Sequence, residues 1–232
     1  MHPADECEEV EPSRESSVDW CVWLREHVRA APIYPEHRVV LEACCDAAER
    51  WRERFGDRSA LWSRIRGGGK GRLAKELIES APVLSRVLSH VESMELLPDA
   101  DPARPEGEAD PRLVILDLCS GFGYLGMFLS ELLPPSKVGV IVLIDIRWAP
   151  HNVARQPHHL SDAHLTFPGW PIRLTSSRAD LKTPSDRRGL ARTFLSGHAP
   201  ALLLAIHLCA RRPPSRATHP CPPLRALALT AI

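Results

Sequence analysis

An all-helical segment followed by a parallel α/β sheet is the fold class this sequence predicts, and three observations predict it. Residues 113–118 and 138–146 are nearly continuous aliphatic runs, the pattern of strands buried on both faces. Between them, residues 121–133 form a glycine-rich turn leading into a helix that Pro134-Pro135 ends, so the order strand–helix–strand implies a right-handed βαβ unit. Across the first hundred residues, apolar positions recur at helical intervals.

Residues 1–17 are acidic and serine-containing, with little to bury, and are expected to form a frayed tail. A helical segment covers 18–97. Its first helix runs from Val18 to about Val28, and Pro32 ends it. In the second, Pro35 sits in the first turn, where a missing N–H costs little. The buried stripe of that helix is Val40, Cys44, Ala47, Trp51 and Phe55, and Gly56-Asp57 closes it. A short helix over 59–65 runs into Gly67-Gly68-Gly69-Lys70-Gly71. The next helix, over 72–97, is predicted to break at Pro82.

Residues 98–111, rich in proline and acidic side chains, read as a linker to a second unit over 112–209. Beyond strand two lies an irregular histidine- and proline-rich excursion over 148–171. A short strand at 172–176, a helix at 185–196 and a fourth strand at 201–208 follow. Residues 210–232 form a proline- and arginine-rich tail.

Composition narrows the classes further. Lysine plus arginine and aspartate plus glutamate number 29 each, so no global electrostatic pull toward nucleic acid or an anionic membrane follows. The longest apolar runs, 138–144 and 199–206, fall far short of the ~20 residues a membrane helix needs. Residues 1–10 lack the basic and apolar regions of a signal peptide. The seven cysteines are scattered, with no CxxC, as reduced thiols would be. These features predict an intracellular protein of the cytoplasm or nucleus, with no membrane partner.

The chemistry concentrates at Asp117-Leu-Cys-Ser-Gly121-Phe-Gly123-Tyr-Leu-Gly126. Glycines at a strand tip let backbone approach a ligand, and the following helix offers free N–H groups. Two cofactor classes use this geometry. Gly121-x-Gly123-x-x-Gly126 matches the dinucleotide fingerprint, and Asp145 stands about where a ribose-binding acid belongs, which suits NAD. A carboxylate fixed at Asp117, however, repels a pyrophosphate and suits a cofactor with a cationic amino-acid end, such as S-adenosyl-L-methionine. A capping role for Asp117 in the turn is the structural alternative.

The run Leu113-Val-Ile-Leu-Asp-Leu-Cys-Ser-Gly-Phe-Gly-Tyr-Leu-Gly-Met-Phe-Leu resembles motif I of class I S-adenosylmethionine-dependent methyltransferases. Leu143-Ile-Asp-Ile is similar to their second-strand acidic motif. Leu202-Leu-Leu-Ala-Ile-His-Leu-Cys resembles a segment of a eukaryotic methyltransferase-like branch related to the tRNA 2′-O-methyltransferases. The resemblance covers roughly residues 112–209. It departs from the family at Cys119, where most members carry glycine, and at Ala210, where the branch has glycine. It implies a Rossmann-like sheet and S-adenosyl-L-methionine as cofactor, with RNA as acceptor. By the same resemblance, Asp117, Cys119, Gly121 and Gly123 surround the methionine end and Asp145 the ribose. Asp180 meets the adenine, and His207 and Cys209 face the acceptor as candidate catalytic residues. His207 has an ordinary pKa near 6.5, which suits a base for a hydroxyl acceptor.

Other signals carry less. The Gly67–Gly71 loop lacks the phosphate-loop pattern, but with Arg64, Arg66, Arg72 and Lys75 it makes a local basic patch that could touch a nucleic-acid backbone. His151, His158, His159 and His164, like Cys209, His219 and Cys221, have no metal-ligand spacing, and no metal is expected. A nicotinamide-dependent oxidoreductase and a non-catalytic binding module remain open beside the methyltransferase. A class I sheet normally has seven strands, and here about four are legible. Residues 211–225 hold five prolines and four arginines, so only 224–232 can add a short element. The sequence therefore predicts a C-terminally truncated fold with weak or no catalytic activity and with strand four near an edge.

Overall fold

The computed structural model describes residues 19–57, 59–67, 71–95, 111–150, 156, 158–195, 200–206 and, for the backbone, 230–231. Four helices come first: α1 (Trp20–Arg29), α2 (Tyr34–Phe55), α3 (Ala60–Ile65) and α4 (Arg72–Ser93). Local chemistry sets their starts. The Asp19 carboxylate accepts from the Cys21 N–H, and the Ser59 hydroxyl accepts from the Trp62 N–H, each satisfying a donor that the helix leaves free. Pro35 lies in the first turn of α2, and Val40, Cys44, Ala47, Trp51 and Phe55 are all buried, as their spacing predicts.

The expected break at Pro82 does not occur: α4 runs through it. Proline in a helix interior costs about 3 kcal/mol, but Ala81, Val83 and Leu84 are buried around it, and packing of that face holds the helix together. At its far end, the Lys137 ammonium donates to the Val91, Glu92 and Met94 carbonyls at 2.9, 2.9 and 2.7 Å. A cation there satisfies acceptors and complements the helix dipole.

The sheet follows: β1 (Leu113–Leu118), α5 (Tyr124–Leu132), β2 (Val138–Ile144), β3 (Arg173–Ser177), α6 (Pro184–Leu190) with one wide turn at Ala191–Leu195, and β4 (Ala201–Leu204). Four strands pair in parallel in the order β3-β2-β1-β4, and a two-residue β5 (Thr230–Ala231) pairs antiparallel with β4. The helix expected over 185–196 is thus a short α6 and its irregular turn, and the strand expected at 201–208 is described only as far as Leu204. The 98–110 part of the linker lies outside the described residues. No helix is long and apolar enough to cross a membrane among the described residues.

Alternation along the strands decides what each face meets. Leu113, Ile115, Ile141, Leu143 and Leu174 join Leu41, Trp51, Leu77, Leu84 and Phe128 in one continuous core. The helical segment is therefore the cover of one sheet face. Leu116, Val142 and Ile144 face the other way, into a smaller cluster under α6.

Candidate functional site

Asp117 ends β1 on the face the helices cover, and it is only 3% exposed. The Gly126 N–H donates to its carboxyl group, while Oδ2 has no partner. Burial pushes its pKa up to about 8, and the Asp145 and Glu76 carboxylates add to that rise. Glu76 belongs to the second turn of α4, so the helical segment supplies part of the electrostatic wall around Asp117.

The turn after β1 is held from both sides. Cys119 has φ 60°, in the left-handed region that costs a side-chain-bearing residue about 1–2 kcal/mol. Gly121 also has a positive φ, at no such cost. Cys119→Gly is accordingly expected to stabilise the protein by about 0.5–1 kcal/mol, after glycine's greater unfolded-state freedom is offset. Urea melts would show this, and a destabilised variant would mean that the cysteine side chain contributes more than its backbone strain costs.

The remaining glycines of the motif meet the core. A Cβ at Gly123 would lie 2.7 Å from Leu143 Cδ1, and one at Gly126 would lie 2.3 Å from Leu143 Cδ2. Both positions are kept small by the second strand packing beneath them. Gly121 alone of the three faces a polar group, with Arg147 Nη2 3.4 Å from where a Cβ would stand.

Asp145 follows β2 on the same side. Its Oδ2 accepts from the Gly121 N–H at 2.9 Å, and its Oδ1 accepts from the Arg147 N–H at 2.9 Å and Nε at 3.4 Å. The acid of strand two is thereby tied to the glycine turn of strand one. Oδ1 already takes two bonds, while Oδ2 takes one and has a second lone pair for a further bond. Asp180, in contrast, spends its side chain locally: Oδ1 accepts from the Lys182 N–H at 2.9 Å, shaping the turn before α6. The positions of His207 and Cys209 lie outside the described residues.

Several residues of the site escape sequence reading. The His164 ring is fully buried and stacks on Phe122 at 4.1 Å, and its Nε2 lies 2.9 Å from the Phe122 carbonyl, a bond that requires the ring to donate. Burial lowers its pKa to about 4, so it is neutral at physiological pH. The excursion over 148–171 thus underpins the glycine turn. Trp148 is buried there too, with its indole N–H 3.4 Å from the Ser120 hydroxyl. Tyr124 donates its hydroxyl to the Ile65 carbonyl at 2.5 Å and so fixes the end of α3 over the first turn of α5. Ile146, half exposed beside Asp145, offers an apolar surface at the strand tip. The one available signal was the aromatic and histidine content of 148–171, which does not specify a contact.

A groove of about 1350 Å³ runs along β2 and β3, lined by Val140, Val142 and Phe194 and also by Phe167 and Trp170, and no residue of the glycine turn lines it. Among the described residues no group of three or more His, Cys, Asp or Glu is placed to hold a metal ion.

The chain matches no family model, no curated protein and no solved structure. What the site can do rests on its geometry and on the resemblance of its motifs.

Proposed function

We propose that the protein binds S-adenosyl-L-methionine at the glycine turn and belongs to the methyl-transferring enzymes with a Rossmann-like sheet. The observation that carries this reading is Asp117: a buried carboxyl group with an unpartnered Oδ2, reinforced by Asp145 and Glu76. The neighbouring Asp145 and Glu76 carboxylates oppose a pyrophosphate, and an ammonium, by displacing the Asp117 proton, would give Oδ2 the charged partner it lacks. Asp145, with a lone pair free on Oδ2, is placed to accept from a ribose hydroxyl. Ile146 offers an apolar contact to a base. The cofactor supplies a methyl group on a sulfonium; the chain's task is to bind and align it with the acceptor. RNA is the acceptor class that the motif resemblance suggests, and the same resemblance makes His207 and Cys209 the candidate catalytic residues.

Calorimetric titration with S-adenosyl-L-methionine and with NAD tests the reading. S-adenosyl-L-methionine is expected to bind and NAD not; the reverse result overturns it in favour of an oxidoreductase. Asp145→Ala is expected to lower the affinity at least tenfold, since charge-assisted hydrogen bonds contribute about 1.5–3 kcal/mol. Unchanged affinity in a folded variant would show that Asp145 does not reach the ligand. Methyl transfer to total RNA, absent in Asp117→Ala, separates an enzyme from a binding module.

A further inference from the structure

The chain carries no net charge, yet cationic side chains gather around the mouth of the glycine turn from two distant parts of the sequence. Arg64 and Arg66 end α3, and Arg72 opens α4. The loop between them is drawn tight: a Cβ at Gly67 would stand 2.5 Å from the Arg72 Cβ. The Tyr124–Ile65 hydrogen bond pins this corner to α5. Arg64 acts electrostatically on His164, beneath Phe122 of the turn, and Arg72 acts on Tyr124. From the sheet, Arg147 reaches over Gly121, and Arg178 beside it donates its Nε to the Ile146 carbonyl at 3.2 Å. Arg64 and Arg72 thus stand on the α3–α4 side of the glycine turn, and Arg147 and Arg178 on the strand-end side, an arc about the turn.

All four are exposed. Their carboxylate partners are distant or shared: Arg72 has Glu76 at 3.8 Å, and Arg147 has Asp145 at 3.4 Å. The first turn of α4 adds uncapped backbone N–H groups, because Gly71 provides no side-chain cap. An arc of guanidinium groups about the turn, on a chain with no overall charge, fits a partner that presents repeated anionic groups there.

We propose that this arc holds the sugar–phosphate backbone of a nucleic-acid strand whose reacting group is led to the glycine turn. Guanidinium groups match phosphate oxygens in bidentate fashion. The helical segment is then part of the acceptor surface as well as the cover of the sheet. The proposal rests on the methyl-transfer reading for the purpose of the contact, while the surface itself is tested separately.

The probe is a labelled single-stranded RNA of mixed sequence, followed by fluorescence anisotropy over a salt series, with the full chain. Arg64→Ala/Arg72→Ala is the variant, because neither residue touches Asp117 or Asp145; its melting curve verifies folding. The RNA is expected to bind the parent protein with strong salt dependence. The variant should bind at least tenfold more weakly, and its slope of log affinity against log salt should be shallower by about 1.4, at about 0.7 per lost phosphate contact on a single strand. Its affinity for S-adenosyl-L-methionine should be unchanged. Equal RNA affinity in parent and folded variant overturns the proposal, as does the absence of salt-dependent binding. Displacement of RNA by polyglutamate at equal charge concentration also overturns it, and points to an acidic protein surface. If RNA binding behaves as expected but S-adenosyl-L-methionine does not bind, the methyl-transfer reading fails and the surface stands. An Arg64→Lys/Arg72→Lys variant should recover the salt slope, which a purely structural role for the two arginines would not require.

Discussion

Asp117→Asn is expected to raise the melting temperature of the ligand-free protein at pH 8 by at least about 5 °C, and to weaken S-adenosyl-L-methionine binding at least tenfold. The ordinary pKa of the side chain is 3.8, and in the fold burial raises it to about 8. Between those values the folded state holds a proton that the unfolded state has lost, so stability falls as pH rises from about 4 to about 8 and then levels. Each tenfold difference in proton affinity between the two states corresponds to about 1.4 kcal/mol, and each kcal/mol moves the melting temperature of a chain this size by about 2–4 °C. Asparagine keeps an acceptor for the Gly126 N–H and carries no charge, so the variant escapes that fall.

His164 works in the opposite direction. Its pKa is lowered from 6.5 to about 4, so stability falls as pH drops through that window. The two slopes oppose each other below pH 6.5, and the Asp117 effect is read above it. Binding a cation to parent Asp117 should also release a proton below pH 8, seen as a dependence of the binding heat on buffer ionisation enthalpy. A variant with unchanged stability at pH 8 would mean that the parent carboxylate is ionised and paired in the fold.

Glu131→Ala is expected to cost about 3–5 kcal/mol, the usual penalty for removing one partner of a buried ion pair. Glu131 lies on α5 with its side chain 3% exposed, and three side chains of α2 converge on it. Arg54 reaches it at 2.8 Å, Arg50 at 3.1 Å, and the Trp51 indole N–H donates to it at 3.1 Å. Trp51 also stacks on Phe128 of the same helix at 4.7 Å. Removing the carboxylate leaves Arg54, 18% exposed, without its counter-charge. The melting temperature should fall by about 10 °C, by the same scaling, and Glu131→Gln should lose less. A loss below about 1 kcal/mol would show that the Glu131 cluster contributes little to holding α2 on α5.

Much of the architecture was legible because it depends on neighbours in sequence. The stripe from Val40 to Phe55, the start of α2 at Pro35, the aliphatic runs of β1 and β2 and the glycine turn between them are local patterns. Backbone sterics and burial translate such patterns directly into elements. The position of Asp145 opposite the turn was legible for the same reason: successive parallel strands joined by a short helix bring their carboxyl ends together.

The rest is non-local. Pro82 predicts a break by its own chemistry, and only the core on both sides of it keeps α4 whole. Gly123 and Gly126 look like ligand-facing glycines in the motif, yet the neighbour that keeps them small is Leu143 of the next strand. His164 lies 42 residues from the carbonyl it bonds, and no periodicity encodes that pairing. The burial of Asp117 and its unpartnered oxygen arise because the helical segment closes over the end of β1. Residue order alone dictates which positions form the turn. The packing of the helices on the sheet dictates that its acid is desolvated, because burial and electric field are properties of everything around a group rather than of its place in the chain.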